Sequence, residues 1–194
     1  MIKHVDKAAF PSRFGKFTIH AFADETHEGH IALVSEKYNK EKEAGVLVRI
    51  HSKCLTGDTF GSLRCDCRNQ LEIALGLLSK EGGILIYLDQ EGRGIGLMNK
   101  IRAYALQDKG LDTVEANLHL GFKKDLREYS AAAEILKYFK VSSVRLLTNN
   151  AQKIKSLKKC GIGVVERIPL VIKANGHNSR YLQAKKEKLN HLLD

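Results

Sequence analysis

Between Arg49 and Gln70 the chain reads R-I-H-S-K-C-L-T-G-D-T-F-G-S-L-R-C-D-C-R-N-Q, and three of its four cysteines, Cys54, Cys65 and Cys67, fall inside that stretch. Any fold built around it must bring three thiols out of a charged segment to one place. Only Asp66 separates Cys65 from Cys67. In an extended segment two such side chains point the same way, about 7 Å apart. Thr56-Gly57-Asp58 and Gly61-Ser62 are turn formers that let the chain double back to Cys54. Three sulfurs suit zinc, which binds thiolate at about 2.3 Å and prefers four ligands. Three protein ligands leave one position for water, and zinc brings the pKa of that water towards about 7.

Spacing alone leaves two zinc readings open, a catalytic site with an open position and a closed structural site using Cys160. Cys160 follows Ile154 and Leu157 at helical spacing and precedes Gly161, so it reads as core beside a helix stop. A disulfide is not expected, because Met1-Ile-Lys-His-Val-Asp6 lacks an apolar signal run.

The remaining pattern is that of an α/β protein. Gly15–Ala21, Glu28–Val34 and Ala44–Ile50 read as strands, with Arg49, His51 and Lys53 on one face of the last, opposite Val48 and Ile50. Leu71, Ala74, Leu75 and Leu78 mark a helix that stops near Gly82-Gly83. Ile84–Leu88 is then a buried strand. Val144–Thr148 and Gly163–Ile168 are further strands, and helices are marked by Ala132, Ile135, Leu136 and Phe139 and by Ile154 and Leu157. A tail helix from Arg180 to Leu193 is expected to carry its lysines outward. The expected fold is a mixed sheet flanked by helices, with a strand-rich N-terminal third, and residues 1–194 form a single domain. No apolar run approaches the roughly 18 residues of a membrane span. The net charge of +10 points to an anionic partner.

Gln90-Glu-Gly-Arg-Gly-Ile-Gly96 joins a strand to a helix, and such a turn presents backbone N–H groups to a phosphate. Arg93 adds a guanidinium shaped for phosphate oxygens. By pattern, Leu97, Ile101, Tyr104 and Ala105 share one face of the next helix, which makes Tyr104 a core residue. By pattern, Asp125 and Arg127 belong to a solvated charged segment.

Arg49–Asp58, Ser62–Cys67, Gln90–Leu97, Asn99–Asp108, Asp112–Asn117 and Leu146–Asn150, taken together, closely resemble GTP cyclohydrolase II, the family that opens riboflavin biosynthesis. The resemblance implies hydrolysis of GTP at C8 of guanine, with release of formate and pyrophosphate. It makes Cys54, Cys65 and Cys67 the ligands of one catalytic zinc per chain. It makes Tyr104 a catalytic hydrogen-bond or proton donor, against its core pattern. It gives Arg127 and Asp125 the chemistry at the α-phosphate, with Arg127 acting as nucleophile or as electrostatic stabiliser. GTP contacts are implied for Arg49, Ile50, His51, Ser52, Lys53, Gln70, Glu91, Gly92, Arg93, Thr113, Thr148 and Lys153. Among these, Gln70 and Glu91 suit guanine, and Arg93 and Lys153 suit phosphates. The resemblance also implies Mg2+ with the triphosphate, a cytoplasmic location and a homodimer. Four departures stand out. Lys53 replaces an acidic residue, Asp89 stands where arginine is common, and Ala184 and Asn190 replace threonine and glycine.

A zinc-bearing nucleic-acid-binding module would need a basic stripe with stacking aromatics, and aromatic residues make up only 7% of the chain. Neither nucleic acid nor membrane is therefore expected as a partner. A zinc nucleobase deaminase would need H-x-E and P-C-x-x-C, whereas the chain has His51-Ser-Lys53 and no such pair.

Overall fold

The computed structural model describes residues 1–25, 29–39, 44–172, 174–176, 178–189 and 192. Glu28, where a strand was expected to begin, and Asn190, His191 and Leu193 of the expected tail helix lie outside them. The described residues form a seven-stranded mixed sheet of order β1-β2-β3-β5-β4-β6-β7. Its strands are β1 (Lys3–Ser12), β2 (Gly15–Ala23), β3 (His30–Ser35), β4 (Val46–Ser52), β5 (Gly83–Leu88), β6 (Ser143–Leu147) and β7 (Gly163–Ile168). The helices are α1 (Cys67–Glu81), α2 (Gly96–Gln107), α3 (Thr113–His119), α4 (Ser130–Tyr138), α5 (Ala151–Lys159) and α6 (Ser179–Leu189). The fold is α/β, with β1 to β4 in the N-terminal third as expected. Among the described residues no helix is long and apolar enough to cross a membrane.

β1, β2, β3 and β5 pair antiparallel, while β5, β4, β6 and β7 pair parallel. Strand β4 is buried on both faces, as a central parallel strand should be. Val46, Val48 and Ile50 join Ile84, Ile86 and Leu88 of β5 in a core beneath α4 and α5. Leu47 and Leu85 turn the other way, onto Ala74, Leu75 and Leu78 of α1. The chain therefore leaves β4 towards one face, and leaves β5 and β6 towards the other. Beyond the carboxyl ends of strands that part in this way, α/β sheets hold their ligands. Register brings the ends of β4 and β5 level, with Ser52 beside Leu88, while β6 ends lower on the same side, with Leu146 beside Val48.

Three local features depart from expectation. β1 has no sequence signal because it is an edge strand exposed along most of its length, so it needs no apolar face. The apolar face expected for α2 is not the one buried, since Ile101 is 48% exposed while Lys100 is 8% exposed and points inward with Ala103. In α6, Lys185 also points inward, contrary to the expected outward lysines, and donates to Asp66 Oδ1 at 2.6 Å. Ala184 beside it is buried too. Cys160 packs at the edge of the main core, as its spacing indicates.

Helix α1 ends where Gly82 takes φ +79°, and its N–H bonds to Leu78 O. A Cβ there would stand 2.2 Å from the backbone oxygen of Lys37. Gly82→Ala should therefore lower unfolding stability in urea by about 1–3 kcal/mol, from strain at positive φ together with this clash. A midpoint equal to wild type would contradict it.

Candidate active site

The loop after β4 forms the thiol cluster. Leu55–Thr59 is one wide π-helical turn, fixed from beneath by the Asp58 carboxylate. That carboxylate accepts from Cys54 N at 3.0 Å, from the Tyr87 hydroxyl at 2.8 Å and from His51 Nε2 at 3.1 Å. Burial keeps His51 below its ordinary pKa, and its ring stacks on Tyr87. His51 thus supports the loop while its ring borders the second lobe of the cleft. A Cβ on Gly57 would lie 2.7 Å from Cys65 Sγ and 3.1 Å from Cys54 Sγ. The missing side chain is what lets the sulfurs converge.

The three sulfurs lie within 4.8 Å of one another, Cys54 and Cys65 at 3.8 Å. Two sulfurs each about 2.3 Å from a tetrahedral zinc would stand roughly 3.8 Å apart. Hydrogen bonds from the Cys65 and Cys67 thiols push the Cys54 pKa far down, and Lys100 adds to this. The Cys65 thiol is pushed up to about 11, first by its bond to Cys54, and Cys67 is raised likewise. Each thiol so placed resists ionising beside a neighbouring thiolate, and a divalent cation would relieve that repulsion. The donor set fits a sulfur-bound metal ion.

Lys100 Nζ donates to Cys54 Sγ at 3.2 Å and to Glu91 Oε1 at 2.8 Å. Burial opposes the lysine's charge, but Cys54 and Glu91 outweigh it and raise its pKa. Glu91 also accepts from Leu55 N at 2.7 Å and from Gly92 N at 2.9 Å. Tyr104 lies in the wall of this lobe and not in the core. Its hydroxyl is 3.2 Å from Thr56 Oγ1, which is 3.8 Å from Cys54 Sγ. Thr113, at the start of α3, lines the same lobe, a cavity of about 640 Å3.

A second lobe of about 580 Å3 lies beyond the ends of β4 and β6. Ser52, Cys67, Arg93, Arg127 and Tyr181 border both. The Gly-rich turn holds Gly92 and Arg93 at φ +64° and +65°, and the buried Arg93 guanidinium lies 5.9 Å from the centre of the Tyr181 ring, with no carboxylate bonded to its terminal nitrogens among the described residues. Arg127 donates to Asp125 through Nε at 2.9 Å and Nη2 at 2.5 Å. Burial opposes that cation, yet Tyr129 and Asp125 raise its pKa. Lys153 is pushed well below its ordinary value, first by burial and then by Arg49 and Arg127. Its Nζ donates to Ile50 O at 2.7 Å. Ile50 thus offers the lobe a carbonyl, while its side chain is core. Thr148 is buried here, and its hydroxyl accepts from Asn150 N at 3.0 Å.

Gln70 and Glu91, expected to accept from guanine, are engaged within the protein. Gln70 Oε1 accepts from Arg49 Nη2 at 2.6 Å, and its amide donates to Asp66 Oδ2 at 2.7 Å. The charged segment 123–128 is not simply solvated, since Arg127 turns into the cleft and Asp125 pairs with it from behind. Lys100, Tyr181 and Lys185 were missed. Only their long-range partners mark them.

Residues 3–169 match the family described as GTP cyclohydrolase II. The chain belongs to that family. GTP cyclohydrolase-2 of Campylobacter hominis is 53% identical over 187 residues, covering 96% of this chain and 93% of its own length. GTP cyclohydrolase-2 of Neisseria meningitidis is 52% identical over 194 residues, covering 100% of this chain and 98% of its own. The riboflavin biosynthesis protein RibBA of Synechocystis is 53% identical over 188 residues, but these are 95% of this chain and 34% of that protein. Among solved structures RibBX, a two-domain 3,4-dihydroxy-2-butanone 4-phosphate synthase from A. baumannii, aligns with 76% of this chain and 34% of its own at 18% identity and a TM-score of 0.40.

Two departures from the GTP cyclohydrolase II pattern meet in space. Lys53 Nζ donates to Asp89 Oδ1 at 2.9 Å at the rim of the cleft. Each reverses the expected charge, so together they keep an opposite-charge pair. Lys53→Glu should lower the melting temperature by setting two carboxylates together, and adding Asp89→Arg should restore it. In a double-mutant cycle the coupling should stay below about 1 kcal/mol, because both groups are partly exposed. Strictly additive effects would show that the pair does not interact.

Proposed function

We propose that the chain, acting as a single domain over residues 1–194, hydrolyses GTP as a GTP cyclohydrolase II. Formate and pyrophosphate leave, and a diamino-phosphoribosylamino-pyrimidinone remains as the first intermediate of riboflavin synthesis. One observation supports this reading beyond family membership: a sulfur cluster and a buried guanidinium, Arg93, whose nearest described neighbour is the Tyr181 ring and not a carboxylate, face one cleft. A purine nucleotide has a reacting ring at one end and a polyanion at the other, which matches that polarity.

Zinc held by Cys54, Cys65 and Cys67 would supply Lewis acidity that makes water a nucleophile at neutral pH. Tyr104 is placed to donate a proton or hydrogen bond beside it, and burial raises its pKa, so the phenol keeps its proton. Arg93 and Lys153 take phosphate oxygens, with Mg2+ shared by the triphosphate. Arg127 acts at the α-phosphate as a fixed cation and not as a nucleophile, because Asp125 holds it in the protonated form. Gly92 gives backbone approach, and Ser52, Lys53, Thr113 and Thr148 line the walls. Arg49, Ile50, His51, Gln70 and Glu91 act by holding these groups in place. The same reading makes the protein a cytoplasmic homodimer.

Wild type should hold about one zinc per chain and release formate from GTP, as a three-thiolate site with one open position would. Cys65→Ser should lose both; formate from a metal-free Cys65→Ser protein would end the proposal. A second outcome follows from Lys153. Its pKa is depressed in the free protein, and a triphosphate beside it favours the charged form and raises that pKa. GTP binding at alkaline pH should then take up a proton. Calorimetry in buffers of different ionisation heat measures the uptake, and equal heats in all buffers would refute it.

A further inference from the structure

We propose that Lys100 is a positioning residue of the metal centre, whose ammonium, held by Glu91, donates to the Cys54 sulfur and draws charge from it. The inference rests on the zinc reading above and adds a residue to it. Three thiolates bring three negative charges to a divalent ion, and so much donation blunts its pull on water. A hydrogen bond to one sulfur withdraws part of that charge. Partners of this kind, one shell beyond the ligands, orient and tune metal sites.

The geometry is built for this contact. A lysine on a helix flank ordinarily runs its stem along the surface and keeps its head in water. Lys100 instead points into the protein, 8% exposed, with Cys54 Sγ at 3.2 Å and Glu91 Oε1 at 2.8 Å. Glu91 is itself fixed. Its other oxygen accepts from Leu55 N at 2.7 Å, so one carboxylate holds both the lysine and the backbone next to Cys54. Gly92 lets α2 come close, since a Cβ there would meet Lys100 Cβ at 3.1 Å. The loop after β4, the turn after β5 and the first turns of α2 thus close on one N–H···S contact.

The test uses the full chain with Co2+ in place of zinc, in wild type, Lys100→Met and Lys100→Arg. A thiolate that loses its hydrogen bond gives up an electron more readily. The sulfur-to-cobalt charge-transfer band should therefore move to longer wavelength in Lys100→Met and stay near wild type in Lys100→Arg. Chelator competition should show about 10–100-fold weaker metal binding, or the zinc-loaded enzyme a kcat lower by that factor, with KM for GTP unchanged. A band unmoved in Lys100→Met, or a loss carried by KM, would overturn the inference and make Lys100 a scaffold or a substrate ligand. Should Lys100→Met not fold, Lys100→Leu, which likewise has no donor, is measured the same way and judged by the same band. If wild type itself shows no thiolate band, the zinc reading fails and this inference falls with it; a wild-type band that Lys100→Met leaves unchanged sinks this inference alone.

Discussion

Parallel pairing of β4 with β5 on one side and β6 on the other is the constraint on which the cleft depends. It sets the ends of β4 and β5 level and that of β6 lower on the same side, so three connecting segments start from one edge of the sheet. The first carries the thiols, the second Glu91 and Arg93, and the third Thr148, Asn149 and Asn150. A slip of one residue in β4 would turn Arg49 and His51 into the core and bring Val48 and Ile50 out. Arg49 then could not bond Leu147 O and Gln70, nor His51 reach Asp58. The apolar face of β4 therefore sets the register of the polar one.

What could be read from the sequence divides along the same line. β4, β5 and α1 were legible because burial writes itself locally, as apolar runs or a helical period. Convergence of the cysteines was legible from Gly57 and the short Cys65–Cys67 spacing. The partners that decide the orientation of charged side chains were not. Lys185 bonds Asp66 across 119 positions and Lys100 reaches Cys54 across 46. By pattern both are solvated lysines, and only the assembled charges turn them inward. Tyr104 misled for the converse reason: an apolar period in α2 pointed to core, while the helix buries a cation.

The pair Lys53–Asp89 shows why substitutions are better read in three dimensions. Taken singly, each departs from the family pattern by a reversed charge and casts doubt on substrate contacts. Together they meet at 2.9 Å across the mouth of the cleft. An opposite-charge pair works in either polarity, provided both members change. The cation of the pair sits one residue before Cys54 of the sulfur cluster.

Three of the cations that line the second lobe differ in what holds them. Arg127 has a carboxylate, bound through two nitrogens, and is firmly protonated. Lys153 has a carbonyl oxygen and the Tyr129 ring, and burial with the repulsion of Arg49 and Arg127 disfavours its charge. Arg93 has the Tyr181 ring and, among the described residues, no carboxylate on its terminal nitrogens. An arriving polyanion gains little from Arg127, whose charge is already matched, and much from Arg93 and Lys153, whose burial it relieves. Differential stabilisation of this kind favours binding through the latter two. It leaves Arg127 rigid with its charge in place, which is what the proposed role at the α-phosphate requires.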